Sequence, residues 1–183
     1  MCASYLQHLS GAQLQALQEA FTGKKDPVEN PPQEIRKPTL PSLILKKEGF
    51  QSAYFGVPFD KKLQINGRIE SIVDRPYYQR VNWLRGVLPV SSFFEYDSGK
   101  FPVEMRLKDS PTFLATLHLD DRFLIITREA TLQTRNIHPR LPYLLKEEQV
   151  HPYLFGELSF EELLVSVQPD EPLLELSGQM RLF

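Results

Sequence analysis

The sequence predicts a mainly β fold: an antiparallel meander that closes into a barrel or a strongly curved sheet, with a short N-terminal amphipathic helix packed on it. Aromatic residues make up 11% of the 183 residues, and such side chains suit pleated, half-buried strands. Fifteen prolines leave little room for long helices. Between residues 42 and 135 polar and apolar residues alternate, and no segment there has the length of a crossover helix, which favours antiparallel pairing.

Residues 11–22 are predicted to form the amphipathic helix. Ser10 and Gln13 match a capping box, in which the hydroxyl accepts from a backbone amide and the glutamine reaches back to the cap. Gly23 is suited to end the helix because glycine adopts the left-handed conformation without strain. The apolar face of this helix consists of Leu14, Leu17 and Phe21.

A proline-rich connection over residues 23–41 separates this helix from the meander, which extends over residues 42–135. Two turn signals, Asp97-Ser98-Gly99 and Asp120-Asp121, predict hairpins between the strands that flank them. The predicted strands cover Ser42–Lys47, Phe50–Val57, 63–73, 77–88, 91–96, 100–108, 112–119, 122–128 and a short segment at 131–135.

The C-terminal segment, residues 136–183, is acidic and interrupted by prolines, and we expect it to complete a single domain over residues 1–183. Ser159 and Glu162 form a second possible capping box, which predicts a helix of about two turns. A last hairpin is predicted from Leu173–Leu176 and Gln179–Phe183.

The charge pattern does not favour a nucleic-acid partner, and we expect none. The net charge is −2, although residues 61–140 carry thirteen Lys or Arg against nine Asp or Glu, and residues 141–183 carry two against eight. No apolar run has the length of a membrane span. Cys2 is the only cysteine, so an intrachain disulfide is excluded and a cytoplasmic location is expected.

Motifs for catalysis are sparse, and the sequence favours a protein without catalytic residues, metal or cofactor. Cys2 would become the first residue if Met1 were removed, as in N-terminal nucleophile enzymes, but those enzymes place the nucleophile at the start of a strand, and here a helix follows. His118 and Asp120 could share a metal, yet no third ligand is indicated. Phosphate-binding glycine motifs are absent, and His138 precedes a proline, which is typical of a loop.

Acidic residues near the first hairpin also suggest a nuclease, but the pattern is incomplete. Asp97 and the pair Glu104 and Arg106 resemble the acidic and basic groups of Mg²⁺-dependent nucleases, with arginine in place of the usual lysine. Arginine keeps its proton and cannot serve as a base. Alternating charges of this kind are typical of the solvent face of a strand.

Arginines and aromatic residues spread over several predicted strands are the best indication of a binding site. If they share one concave face, they could hold an acidic group beneath a wall of rings. We expect ligand contacts from Tyr78, Trp83, Arg85 and Arg106. The wider set comprises Arg68, Arg80, Arg85, Arg106, Arg122, Arg128, Tyr77, Tyr78, Trp83 and Tyr96.

Three hypotheses for function follow from these patterns. The leading one is a non-catalytic binding or assembly protein whose β-sheet holds a small hydrophobic or acidic ligand, or a protein partner. The first alternative is a lyase or hydrolase with Glu104 or His118 as base and an arginine clamp. The second is a protein-interaction module that uses the N-terminal helix and the acidic C-terminal segment.

Overall fold

The chain folds mainly into β-strands, with short helices between them. The computed structural model describes residues 4–31, 34–107, 111–132 and 134–166, and the backbone of 174–177. The helices are α1 Gly11–Thr22, α2 Ile69–Asp74, α3 Pro76–Arg80, α4 Glu147–Phe155 and α5 Phe160–Val165. The strands are β1 Ser4–Leu6, β2 Ile35–Arg36, β3 Pro41–Lys46, β4 Gly49–Phe55, β5 Val57–Phe59, β6 Lys62–Gln64, β7 Asn66–Arg68, β8 Leu84–Val90, β9 Ser92–Tyr96, β10 Pro102–Leu107, β11 Thr112–Leu119, β12 Arg122–Glu129, β13 Arg140–Pro142, β14 Leu144–Leu145 and β15 Leu174–Ser177.

Helix α1 has the boundaries and the caps that the sequence predicts. The Ser10 side chain accepts from the Gln13 amide, the Gln13 side chain accepts from the Ser10 amide, and Gly23 ends the helix with φ 72°. Leu14 is fully buried and Phe21 nearly so. The helix packs against β4 and α4, so its apolar face covers part of the main sheet.

The largest sheet is ring-like. Strand β12 is bonded to β4, β4 to β3, β3 to β8, β8 to β11, and β11 back to β12. Successive residues of β11 belong to different core clusters, with Phe113 and Ala115 in one and Leu114 in the other. Because neighbouring residues of a strand point to opposite faces, the sheet is buried on both sides.

The sheet is mixed, so the prediction of a purely antiparallel meander is wrong. Strand β12 runs parallel to β4 and parallel to β7, with Ile125 opposite Asn66 and Thr127 opposite Arg68. Alternation identifies a strand and its buried face, but it does not identify the partner or its direction. The hairpins predicted at 97–99 and 120–121 are both present.

Two segments predicted as long strands are broken by helices. Residues 63–73 contain the end of β6, then β7 and most of α2, and residues 77–88 contain most of α3 and the first part of β8. Ile69 and Ile72 are both buried and lie three residues apart, as on one face of a helix, whereas alternation would place them on opposite faces of a strand. Pro76 opens α3 at a position where its missing amide costs no hydrogen bond.

The remaining differences lie in the second half of the chain. The described residues of 131–135 form turns, so the short strand predicted there is wrong. Helix α5 has the predicted capping box of Ser159 and Glu162. Leu174–Ser177 pairs with β10, and the second strand of the predicted last hairpin lies outside the described residues. Among the described residues no helix is both long and apolar enough to cross a membrane.

A smaller, five-stranded sheet carries the N-terminal strand. Its order is β15-β10-β9-β1-β2, so β1 lies between β9 and β2 and not at an edge. Ser4 is opposite Phe94, and Tyr5 is opposite both Phe93 and Arg36. The hydroxyl groups of Tyr5 and Ser42 are hydrogen-bonded to each other, which joins this sheet to β3 of the ring-like sheet.

The hydroxyl group of Tyr153 offers a test of how α4 is attached to the ring-like sheet. Tyr153 is fully buried and donates to the backbone carbonyl of Thr116 at 2.8 Å. Tyr153→Phe removes this donor inside the core, and we expect the free energy of unfolding to fall by about 1 kcal/mol. Urea denaturation measures the change. Tyr54→Phe, at an exposed position, is the matched control, and an equal effect of both variants would contradict this role.

Candidate functional site

Glu95 is a fully buried carboxyl group on β9, the middle strand of the five-stranded sheet. Its side chain is 0% exposed. Burial disfavours the charged form and raises the pKa of Glu95 to about 7. A carboxyl group with this pKa is present in both protonation states at neutral pH, so it can give or accept a proton there.

His138 lies beside this carboxyl group. Its Nδ1 atom is 3.9 Å from Oε2 of Glu95, and its side chain is 22% exposed. Burial lowers the pKa of His138, while the carbonyl oxygen of Arg140, 2.7 Å from Nδ1, acts in the opposite direction because it favours a proton on that nitrogen. The two titratable side chains therefore form an acid–base pair that is partly shielded from solvent.

The backbone around Pro139 fixes the position of His138. The amide of Ala130 donates to the Pro139 carbonyl at 3.0 Å, and the amide of His138 donates to the Thr134 carbonyl at 3.2 Å. Proline also restricts the residue before it to extended conformations. The histidine is thus held by hydrogen bonds to the end of β12 and to the turn that follows.

The parallel pairing of β7 with β12 brings two further polar residues, Asn66 and Arg68, to the end of the ring-like sheet at which His138 lies. Parallel strands end at the same edge, and the end of β12 leads into the segment that carries His138. Asn66 is buried and Arg68 is exposed, and both line a cleft next to β7. Antiparallel pairing would have placed these residues at the opposite edge.

An ion pair between Arg140 and Glu70 connects the segment that carries His138 with the segment that follows Arg68. Arg140 donates from Nη1 and Nη2 to the two carboxylate oxygens of Glu70, each at 2.9 Å, and Nη2 also donates to the Thr127 carbonyl at 2.8 Å. Partial burial is the largest single influence and would raise the pKa of Glu70, but the hydrogen bond and charge of Arg140, a backbone hydrogen bond and the charge of Arg68 together lower it. This two-point contact fixes α2, which follows Arg68, against β13, which follows His138.

The cleft beside Asn66 surrounds the small hairpin of β5 and β6, and we call it the hairpin cleft. It has two openings, of about 410 Å³ and 470 Å³, which share Phe59, Gln64, Asn66 and Arg75. Its charged residues are mainly basic, with one acidic residue among three arginine or lysine side chains. They are Asp60, Lys62, Arg68 and Arg75.

Four aromatic rings lead from this cleft along α3. The ring centroids of Phe59 and Tyr77 are 4.4 Å apart, those of Tyr77 and Tyr78 are 5.2 Å apart, and Trp83 lies 6.1 Å from Tyr77 and 5.9 Å from Tyr78. The hydroxyl group of Tyr78 accepts from the Gln64 amide. Burial raises the pKa of both tyrosines, so they stay neutral donors.

The structure brings together only part of the set expected to contact a ligand. Tyr78 and Trp83 are neighbours. Arg85 points to α4, where it donates to the Tyr153 carbonyl at 3.2 Å and to the Leu158 carbonyl. Arg106 is exposed on β10, in the five-stranded sheet.

The other arginines of the set are dispersed over the ring-like sheet and α3. Arg80 lies on α3, not on a strand. Arg122 covers the ring of Tyr54, with 5.6 Å between its guanidinium carbon and the ring centroid. Arg128 lies near the end of β12. A single arginine-lined concave face is therefore not formed by the described residues.

The two groups considered as a base occupy different surroundings. His118 is buried on β11, and burial lowers its pKa to about 4, so it is neutral at neutral pH. Glu104 is half-buried on β10. Within the described part of the chain, no group of three or more His, Cys, Asp or Glu side chains could hold a metal ion.

The set of site residues expected from the sequence did not include Glu95, His138 or Asn66, and His138 was interpreted as a loop residue. A signal for Glu95 was present, because it is the one charge within the run Ser92–Tyr96, which is otherwise aromatic apart from its first serine. His138 and Asn66 offered no local signal, since a histidine before proline and an asparagine before glycine are both typical of loops and turns. Cys2 lies outside the described residues.

Comparison with known families gives the decisive observation. Residues 1–175 match the model of the SOS response associated peptidase family, abbreviated SRAP. The chain belongs to the SRAP family. No sequence among curated proteins matches it.

Two solved structures share the fold of this SRAP chain. One is a protein of Bacteroides thetaiotaomicron, with a TM-score of 0.75 and 18% sequence identity over 96% of this chain and 90% of the other. The second is a phage-related protein of Bordetella bronchiseptica, with a TM-score of 0.74 and 18% identity over 98% and 94%. At this identity the likeness concerns the fold alone.

Membership in the SRAP family corrects two expectations. The family is associated with DNA that contains abasic sites, so the expectation that nucleic acid is not a partner is wrong. The expected role as a ligand-binding or assembly protein is also wrong, because the family indicates DNA binding or processing. The net charge of the whole chain is small and did not indicate a DNA partner, because the basic residues of the hairpin cleft are concentrated in one small part of the surface.

The pKa of Glu95 gives a test of its burial through the pH dependence of stability. Between about pH 4.5 and pH 7 the folded protein retains a proton that the unfolded chain releases, so this group lowers stability as the pH rises through that window. The full effect is at most about 3 kcal/mol. Glu95→Gln removes it, and we expect the variant to be the more stable protein at pH 8 but not at pH 4.5.

Thermal unfolding of both proteins from pH 4.5 to pH 8 measures this difference. His138 is present in both, so only the part of its titration that depends on the Glu95 charge differs between the two proteins. Glu129→Gln, at an exposed position on β12, is the control and should follow the wild type. Parallel stability curves for Glu95→Gln and wild type would show that the carboxyl group is not buried as described.

Proposed function

We propose that this protein binds single-stranded DNA at abasic sites and captures the aldehyde of the opened sugar with its N-terminal cysteine. The observation that carries the proposal is the Glu95–His138 pair, a proton donor and acceptor near neutral pH next to the strand that follows Cys2. The association of the SRAP family with abasic DNA supplies the substrate class.

The strand that follows Cys2 in the sequence lies beside the strand that carries Glu95. Ser4, the first residue of β1, is opposite Phe94, which directly precedes Glu95. This also answers the earlier objection to a nucleophile at Cys2, because a strand and not the helix comes first.

The chemistry follows from the groups of an N-terminal cysteine and needs no oxidant. Once Met1 is removed, the α-amine of Cys2 adds to the aldehyde, and loss of water gives an imine. The thiol then adds to the imine carbon, its proton is transferred to the nitrogen, and a five-membered ring is closed through one new C–S bond and one new C–N bond to the former aldehyde carbon. A protonated Glu95 can give a proton to the departing hydroxyl group, and His138 can relay one during these additions.

The hairpin cleft supports the DNA-binding part of the proposal. Lys62, Arg68 and Arg75 give it basic side chains that can contact phosphates, and Phe59 and Tyr77 offer rings to unpaired bases. Asn66 lines both openings as a buried amide that can bind sugar or phosphate oxygens. Arg140 and Glu70 keep this cleft fixed relative to His138.

The covalent step is tested with a single-stranded oligonucleotide that contains one abasic site. We expect wild-type protein to give an adduct that survives a denaturing gel, Cys2→Ala to give none, and Glu95→Gln to react at least about tenfold more slowly. Intact mass should show that Met1 is absent from the reactive protein. An oligonucleotide with a tetrahydrofuran analogue, which has no aldehyde, is the control DNA and should give no adduct.

Two results would contradict the proposal. Undiminished adduct with Cys2→Ala would place the reacting group elsewhere, and an adduct with the tetrahydrofuran analogue would show that the aldehyde is not the reacting group.

Peptide hydrolysis, which the family name suggests, is a second candidate for the same groups. Release of peptides from an unfolded protein substrate, lost in Cys2→Ala, would support it.

Phosphate contact by Arg75 is tested through the salt dependence of non-covalent binding. Arg75 is exposed and lines both openings of the hairpin cleft. Each lost phosphate contact on a single strand reduces the slope of log K against log salt concentration by about 0.7, so we expect this reduction in Arg75→Gln. Fluorescence anisotropy with a labelled oligonucleotide measures the slope.

Lys24→Gln is the matched control because it changes the net charge equally at an exposed position just after α1. Its slope should stay within error of the wild-type value. Equal slopes for both variants would show that Arg75 acts only through the net charge and not through a phosphate contact.

A further inference from the structure

A second cleft is lined by Trp83, which does not line the hairpin cleft. It has a volume of about 350 Å³ and shares no lining residue with the hairpin cleft. Trp83 contacts Tyr77 and Tyr78, which line the hairpin cleft, so these rings connect the two clefts. The lining residues are Lys47, Glu48, Trp83, Leu84, Arg85, Leu154 and Gly156.

Trp83 and Leu84 offer apolar surface in this cleft that the fold does not use. Leu84 is 51% exposed, although it belongs to β8, whose later residues are buried. The indole of Trp83 is half-buried, and its Nε1 atom is shielded from solvent without a hydrogen-bond acceptor among the described residues. A planar ligand can stack on the accessible part of this ring.

The floor of the second cleft is rigid and positively charged. The guanidinium carbon of Arg85 lies 4.3 Å from the ring centroid of Phe160 and 5.2 Å from that of Tyr153. Its hydrogen bonds to two carbonyl groups fix it between β8 and α4. Burial lowers the pKa of Arg85, but a guanidinium group keeps its charge in proteins.

Lys47 brings a mobile charge to the rim of the cleft. Its side chain is exposed, and the ammonium nitrogen lies 5.6 Å from the ring centroid of Phe155. Glu48 is the one acidic residue in the lining, so the cleft carries a net positive charge together with Lys47 and Arg85. Proteins that bind single-stranded nucleic acid combine positively charged side chains with aromatic rings on which bases stack, and this cleft has both.

We propose that the second cleft binds an unpaired nucleotide of the same DNA strand, with the base stacked on Trp83 and a phosphate on Lys47. The inference rests on the proposed binding of abasic DNA in the hairpin cleft. The rings from Phe59 through Tyr77 to Trp83 form a continuous path between the two clefts, so one strand can follow it from base to base. Trp83 then extends the DNA footprint beyond the abasic site.

Trp83 is the only tryptophan in the chain, which makes it a specific reporter. A base stacked on its ring quenches its fluorescence. We expect undamaged oligothymidylates long enough to pass from the hairpin cleft to the second cleft to quench the emission, and shorter ones that bind only the hairpin cleft to leave it unchanged. Absence of quenching by long oligonucleotides under conditions in which anisotropy shows them bound would overturn the inference.

Variants test whether the contact contributes affinity. Loss of one stacked base costs about 1–3 kcal/mol, roughly 5- to 150-fold, so Trp83→Ala should lower the affinity for long oligonucleotides by about tenfold or more. The preference for long over short oligonucleotides should fall with it. Trp83→Phe keeps a ring and should retain most of that preference, which provides a reading even if the alanine variant folds poorly. Lys47→Gln should lower the same preference and reduce the salt slope with long oligonucleotides only.

Phe101→Ala is the matched control, since Phe101 is 54% exposed between β9 and β10 and lines neither cleft. It should keep the wild-type preference. Equal length preferences in wild type, Trp83→Ala and Lys47→Gln would overturn the second cleft as a binding site.

The covalent adduct on short abasic DNA reports separately on the proposed function. Adduct without length-dependent quenching would refute only the second cleft. Length-dependent quenching without adduct would refute only the aldehyde chemistry and support the second cleft.

Discussion

The position of β12 determines the arrangement of the whole molecule. This strand is bonded to β11 and then β13 along one edge, and to β4 and then β7 along the other. Residues 123–127 are consequently buried, and the ladder on each edge continues without leaving interior backbone groups unpaired. Between the parallel strands β7 and β12 the chain passes through β8–β11. Because parallel strands end at the same edge of a sheet, the hairpin cleft beside β7 and the segment with His138 after β12 meet at one end of the ring-like sheet.

Local features of the fold could be predicted from the sequence, and the pairing of distant segments could not. The caps of α1 and α5 and the two hairpins depend on residues a few positions apart, and these predictions agree with the structure. The parallel partner of β12 is set by burial on both faces of a ring-like sheet, which alternation does not encode. Residues 69–80 alternate and also show helical spacing, and only packing against the sheet selects the helices.

The candidate site depends even more on distant contacts. Glu95 is an ordinary glutamate until the sheet buries it, and His138 is an ordinary loop histidine until the turn after β12 directs it to β9. Trp83 and Tyr78, by contrast, could be selected from the sequence as aromatic residues suited to contact a ligand, and their rings are neighbours in the structure. Arg85 was chosen for its charge, whereas its contacts with α4 also give it a structural role.

The internal position of β1 has a consequence for biosynthesis. Its main partner, β9, follows some ninety residues later in the chain, and β2 alone offers only a two-residue contact. At a translation rate of about 5–20 residues per second, the first residues therefore leave the ribosome several seconds before the five-stranded sheet can form. During this interval residues 4–6 lack their main partner strand and remain accessible to other molecules in the cell. Any segment joined ahead of β1, such as a purification tag, must be accommodated where the chain enters the middle of a sheet.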